Sequence, residues 1–169
     1  MVLYYAEGGS LNNLIKRDRS WNDDMNTLVW IILSLETIHK KNMVHRDFHI
    51  GNILLHGYIP FVSDMGLCGE VGNVDATKIY GVMPYVAPEV LRGKPYTQAA
   101  DIYSFGMVMY FVATGRQPFA DRAHDQDLAL SICNGVRPET TKKGVPKCYI
   151  DLINKCWIKI QTIDQMLRK

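Results

Sequence analysis

The sequence predicts a mainly α protein with a few short β-strands, an α+β arrangement organised around one buried central helix. Three observations carry this. Between Asn22 and Lys41, Met25, Leu28, Ile32, Leu35 and Ile38 recur at three- and four-residue steps, the period of a helix with one apolar face. From about 97 to 114, Ile102, Tyr103, Phe105 and the run Met107 to Val112 cover nearly every side of the helix they would form. A helix apolar all round lies inside a domain. Between these stretches the apolar residues come only in short pieces bounded by turn formers, the pattern of strands.

Taken in order, Val2 to Tyr5 is a short apolar run, read as the end of a strand, and Gly8-Gly9 breaks it. Ser10 is a suitable cap for a short helix through Lys16. The first long helix takes Ser20 or Asn22 as its cap and ends at Asn42. Met43-Val44, Ile53-Leu54-Leu55 and Phe61-Val62 are the short strands, set around a polar loop. Asp64 to Pro95 shows no sustained period and is interrupted by glycine and proline, so an irregular segment with one helical turn near Pro88 to Leu91 is expected. An irregular stretch of that length inside a compact domain is usually functional. Thr97 opens the central helix, and Gly115 supplies its C-terminal cap. Shorter helices follow at Asp125 to Cys133 and Lys147 to Trp157.

The chain has 169 residues, 47% hydrophobic and 21% charged, the balance of an ordinary globular domain. A net charge of +2 gives no field for nucleic acid or an anionic membrane surface as principal partner. Cys68, Cys133, Cys148 and Cys156 form no C-x-x-C pair and have no histidine cluster beside them, so separate reduced thiols in a cytoplasmic protein are expected rather than a zinc site. The N-terminus lacks the basic region of a secretory signal. The longest apolar tract, Phe105 to Ala113, is far short of the roughly 20 residues that cross a bilayer.

The chemistry concentrates in the polar loop His45-Arg-Asp-Phe-His-Ile-Gly-Asn52. Asp47 is a carboxylate able to accept a proton, and Asn52 and, further on, Asp64 offer hard oxygen atoms of the kind Mg²⁺ prefers, each just beyond a short strand. The loop resembles the H-R-D-x-x-x-x-N catalytic loop of protein kinases. Three further stretches match that family in the same order: Asp64-Met-Gly66 where it has D-F-G, Ala87-Pro-Glu89 where it has A-P-E, and Asp101-Ile-Tyr-Ser-Phe-Gly106 at the start of the central helix. The resemblance covers Met1 to about Trp157.

That resemblance implies a hinge and C-terminal lobe of an ATP-dependent kinase, a partial domain over residues 1–169, with a catalytic loop at 45–52 and an activation segment at 64–89. It implies catalytic roles for Asp47, His49 and Asn52, with Asp47 aiming the substrate hydroxyl and accepting its proton. Asn52 and Asp64 would hold Mg²⁺. Leu3, Tyr4, Ala6, Ser10, Leu54 and Asp64 would contact ATP, with Leu3 as gatekeeper, the backbone of Tyr4 and Ala6 at the adenine edge, and Leu54 as its floor. Asp101 would anchor the catalytic loop. Arg46 would pair with a phosphate on Thr77 or Tyr80.

The departures from the family are specific. Met65 replaces phenylalanine, His49 stands where serine/threonine kinases usually carry lysine, and Val82 stands where they carry threonine. The overall pattern is nearest the tyrosine-kinase-like group, with serine and threonine hydroxyls favoured over tyrosine. No glycine-rich loop or V-A-I-K lysine precedes the hinge, so weak or no activity is expected of the chain alone. The arginine that would partner Glu89 is absent, with Asp164 near its place. A non-catalytic scaffold is the alternative. A small-molecule phosphotransferase is disfavoured by Ala87-Pro-Glu89 and by 101–106.

Overall fold

The computed structural model describes residues 6–16, 20–71, 79–140 and 144–158; the strand expected at Val2 to Tyr5 lies outside them. The expected short helix is present as a 3-10 turn, Leu11–Lys16. Helix α1 runs Trp21–Lys40. Ser20 is its cap: the Ser20 hydroxyl accepts the Asp23 N–H at 3.2 Å, and the Asp23 carboxylate accepts the Ser20 N–H at 3.1 Å. This reciprocal pair satisfies two of the N–H groups that a helix start leaves open. Leu28, Ile31, Leu35 and Ile38 form its buried face, while Met25 and Ile32 are half-buried at its margin. The chain leaves α1 through Asn42 at φ 56°, a left-handed conformation that asparagine tolerates.

Four short strands follow, β1 (Met43–Val44), β2 (Ile53–His56), β3 (Ile59–Val62) and β4 (Gly69–Glu70). β1 pairs antiparallel with β4, and β2 with β3 in the register Ile53↔Val62, Leu54↔Phe61, Leu55↔Pro60, His56↔Ile59. The alternation of strands puts Ile53, Leu55 and Pro60 in the core and leaves Leu54, His56, Ile59 and Phe61 on the other face. β4 has no apolar pattern of its own and was not visible in the sequence.

The irregular stretch contains 3-10 turns at Met65–Leu67 and Met83–Tyr85 and one α-helical turn, α2, at Pro88–Leu91. Proline suits the start of α2, where its missing N–H costs nothing. Helix α3, Gln98–Thr114, is buried without interruption from Ala100 to Ala113 and is the centre of the domain. It stops at Gly115, whose φ of 71° lets its N–H return to the Phe111 carbonyl at 2.8 Å. Helix α4, Gln126–Cys133, is capped by Asp125, which accepts the N–H groups of Asp127 and Leu128, both at 3.1 Å.

Helix α5, Lys147–Trp157, packs along α3, and the Tyr149 hydroxyl donates to the Met109 carbonyl at 2.8 Å. Gly106 permits this approach, since a Cβ there would lie 2.7 Å from Cys156 Cβ. None of the four cysteines is in a disulfide. Among the described residues no helix is long and apolar enough to cross a membrane, and no group of three or more His, Cys, Asp or Glu is placed to hold a metal.

Candidate active site

The polar loop hangs from the central helix by one carboxylate. Asp101, 1% exposed, accepts the His45 N–H (2.8 Å) and the His39 ring nitrogen Nε2 (2.9 Å) on Oδ2, and the Arg46 N–H (3.1 Å) on Oδ1. Arg46 takes φ 73°, and with its backbone N–H tied down the loop turns sharply at this point. The His39 carbonyl in turn accepts the Gln98 side-chain amide at 2.8 Å, joining the end of α1 to the start of α3.

Both histidines of the loop are held the same way. His45 Nδ1 accepts the Asp47 N–H at 3.3 Å while Nε2 faces the Ser63 carbonyl at 3.0 Å. His49 Nδ1 accepts the Gly51 N–H at 2.9 Å while Nε2 lies 3.3 Å from Asp47 Oδ1. On the other side of that carboxylate, Asn52 Nδ2 donates to Asp47 Oδ2 at 3.1 Å and to the Asp47 carbonyl at 2.9 Å. The His49 approach is too oblique for an aligned hydrogen bond, and Oδ1 is a buried acceptor with no such bond. His49 nevertheless dominates its electrostatics. It holds the Asp47 carboxyl below the usual carboxylate range against the opposing effect of burial, with Asn52 and His45 adding to the depression.

Asp64 sits where β3 ends, at φ 56°, ψ 61°, and its side chain caps nothing. The Ser63 N–H and hydroxyl both bond the Asn52 carbonyl, at 2.8 and 2.9 Å, so the residue before Asp64 is fastened to Asn52. The Asn52 amide spends its hydrogens on Asp47, leaving its oxygen to accept. Among the described residues neither that oxygen nor the Asp64 carboxylate takes a hydrogen bond. Two unengaged hard oxygens at neighbouring strand ends suit Mg²⁺, which needs few protein ligands when phosphate oxygens complete its shell.

Of the residues expected to contact a nucleotide, Ser10 pairs with Leu54 on β2, and the Ala6 carbonyl accepts the Gly9 N–H at 3.0 Å in the turn just before it. Gly8 N–H bonds the Leu55 carbonyl at 3.0 Å, Leu55 N–H bonds the Gly9 carbonyl at 2.8 Å, and Ser10 bridges Leu54. Gly8 allows this contact, because a Cβ would meet Leu55 Cβ at 2.7 Å. Leu3 and Tyr4 lie outside the described residues, as do Thr77 and Asp164.

The later irregular segment closes over the loop. Gly81, at φ 97°, lies against it so closely that a Cβ would sit 3.3 Å from Asp47 Oδ1. The Tyr96 hydroxyl accepts the Tyr80 N–H at 2.9 Å and donates to the Tyr80 carbonyl. The Tyr85 ring lies 5.9 Å from that of His49, and its hydroxyl donates to Gln117 Oε1 at 3.0 Å. Arg46 donates from Nη2 to the Glu70 carbonyl at 3.2 Å and rests on Gly69. Glu89 makes no side-chain ion pair among the described residues.

Motif reasoning did not reach His39, Gly51, Gly81 or Tyr85. His39 had a readable signal, a polar residue on the apolar face of a helix one turn before the loop. The other three act through proximity that no pattern of residue types announces.

The assembly is a carboxylate, an amide and a second carboxylate presented by one tethered loop and one hairpin, with the loop anchored through Asp101 to the buried helix α3. The protein kinase domain family matches residues 1–162, and the chain belongs to that family. It is 32% identical over 161 residues to RAC-beta serine/threonine-protein kinase A of Xenopus laevis, covering 91% of this chain and 33% of that protein. It is 30% identical over 164 residues to protein kinase C-like 1 of Caenorhabditis elegans, covering 91% of this chain and 23% of that protein. An Arabidopsis thaliana protein kinase and PP2C-like domain-containing protein is 29% identical over 192 residues, with 90% of this chain and 29% of that protein covered. The chain therefore spans a third or less of the length of these relatives.

Proposed function

We propose that this chain is the hinge and catalytic lobe of an ATP-dependent protein kinase acting on serine and threonine hydroxyls, of the tyrosine-kinase-like group. In this reading 45–52 is the catalytic loop and 64–89 the activation segment. The single observation that supports it most is Asp47 Oδ1: a buried, ionised acceptor without an aligned hydrogen bond, held from both sides and bordered by the segment ending at Gly81. A substrate hydroxyl seated there donates its hydrogen to Asp47, which orients the oxygen and takes its proton.

Asn52 and Asp64 are the proposed ligands of Mg²⁺, which when bound with ATP neutralises charge on the phosphate oxygens. Leu54 and Ser10, with Ala6 and the preceding Leu3 and Tyr4, form the proposed nucleotide shelf. His49 completes the catalytic set. Use of ATP and four cysteines outside any disulfide go together with an intracellular, cytoplasmic setting. The test is ³²P transfer from ATP to a protein substrate by the parent protein. Asp47→Ala should abolish it, and persistence of the wild-type rate in that variant would refute the proposal.

A further inference from the structure

His49 is a curious residue for this position. Its imidazole is placed in detail by its neighbours. Its Nδ1 accepts the Gly51 N–H at 2.9 Å, so that nitrogen cannot itself carry hydrogen. The proton of the neutral ring must then sit on Nε2, 3.3 Å from Asp47 Oδ1. The two side chains are only 17% and 18% exposed, so water does little to loosen the arrangement.

A second observation is independent of the hydrogen bonds. A Cβ on Gly51 would lie 2.6 Å from His49 Cε1 and 2.9 Å from Nδ1. The ring occupies the space a side chain at 51 would need. Gly51 has no positive φ, so its glycine is not required by backbone conformation. A side chain there would displace the ring. His45 supplies a parallel within the same loop, with Nδ1 taking an N–H two residues ahead and Nε2 facing an acceptor.

We propose that His49 is a positioning residue locked by Gly51 into its Nε2–H tautomer, so that with Asn52 it steadies the two oxygens of Asp47 from opposite sides. Asn52 holds Oδ2 and His49 faces Oδ1, which is left to accept the substrate hydroxyl. The ring meets Asp47 through its Nε2 edge, the Nδ1 edge being taken by the Gly51 N–H. This rests on the kinase reading above as far as its effect on rate is concerned; the tautomer does not.

Long-range ¹H–¹⁵N correlation spectra of the intact chain at neutral pH read the ring nitrogens directly. A pyrrole-type Nε2 and a pyridine-type Nδ1 are expected for His49. A proton on Nδ1 of the neutral ring overturns the lock. Two variants then test positioning in the parent protein. His49→Asn keeps a cap acceptor for the Gly51 N–H but falls short of Asp47. Gly51→Ala leaves the histidine in the sequence and pushes its ring away. Each should lower kcat on the order of 10- to 100-fold with little change in the KM for ATP, and the double variant should lose little more. Unchanged kcat in both, with Asp47→Ala inactive, overturns the positioning role while the kinase reading stands. Absence of any Asp47-dependent transfer overturns the kinase reading and the role with it, whatever the ring nitrogens show.

Discussion

Replacing Asp101 tests how the loop is held. Its carboxylate receives three donors in a dry setting: two on Oδ2, from His39 and His45, and one on Oδ1, from Arg46. A buried donor left without its acceptor costs about 1–3 kcal/mol. Asp101→Asn can keep its one oxygen at the doubly used position and turn its NH₂ toward the Arg46 N–H. It therefore loses one bond and sets two donors face to face, a cost of about 1–3 kcal/mol. Asp101→Ala strands all three buried donors, and a loss of at least about 3 kcal/mol is expected. That is a large part of the roughly 5–15 kcal/mol that holds a domain together. Urea unfolding followed by circular dichroism measures both, provided the m-value is unchanged. Amide exchange at His45 and Arg46 should accelerate in step. Losses below about 0.5 kcal/mol in both variants, the range of ordinary surface substitutions, would refute the idea that this carboxylate suspends the loop.

Three further outcomes are expected. Gly106→Ala should destabilise by about 1–3 kcal/mol in the same urea assay despite alanine's better helix propensity, because the new methyl meets Cys156 Cβ at 2.7 Å and the Trp157 ring nitrogen at 2.9 Å. Asp47 has its folded pKa depressed below the unfolded value, so the unfolded chain binds the proton more readily and the stabilisation is complete above the ordinary carboxylate range. The contribution specific to the ionised form should disappear as pH falls below about 4 through the depressed midpoint, seen as a narrowing pH-dependent gap between wild-type and Asp47→Asn. Burial pushes the Cys156 thiol up to about 12, whereas Cys148 is exposed; a thiol-specific disulfide reagent at pH 8 should label Cys148 quickly and Cys156 only on unfolding, as read by mass spectrometry.

The helices were legible because each rests on local rules. The apolar spacing in α1, the apolar surround of α3 and Gly115 as a stop all act within a few residues, and the structure keeps all of them. The start of α1 moves by one residue because Ser20 and Asp23 cap each other, which excludes Asn22 from that role. β4 was hidden, since Gly69 and Glu70 become a strand only by lying beside Met43 and Val44. In the candidate site the motif letters pointed to Asp47, Asn52 and Asp64, and the resemblance implied the anchoring by Asp101. What no motif revealed was contact across the fold. The His39 ring reaches Asp101 over 62 residues of sequence, Gly81 comes down on Asp47, and the Tyr85 ring borders His49. Such contacts depend on how far the elements approach, which one-dimensional spacing does not encode.

The central proposal is that Asn52 and Asp64 share one divalent cation beside Asp47. Mn²⁺ added with ATP to the ¹⁵N-labelled chain reports this directly, since the paramagnetic ion broadens nearby nuclei. Broadening should centre on the Asn52 side-chain amide and the backbone of Asp64 to Gly66, and it should vanish in Asp64→Ala. Broadening confined to the exposed acidic residues around Asp121, Asp125 and Asp127, with the 52–66 region unaffected, would contradict it.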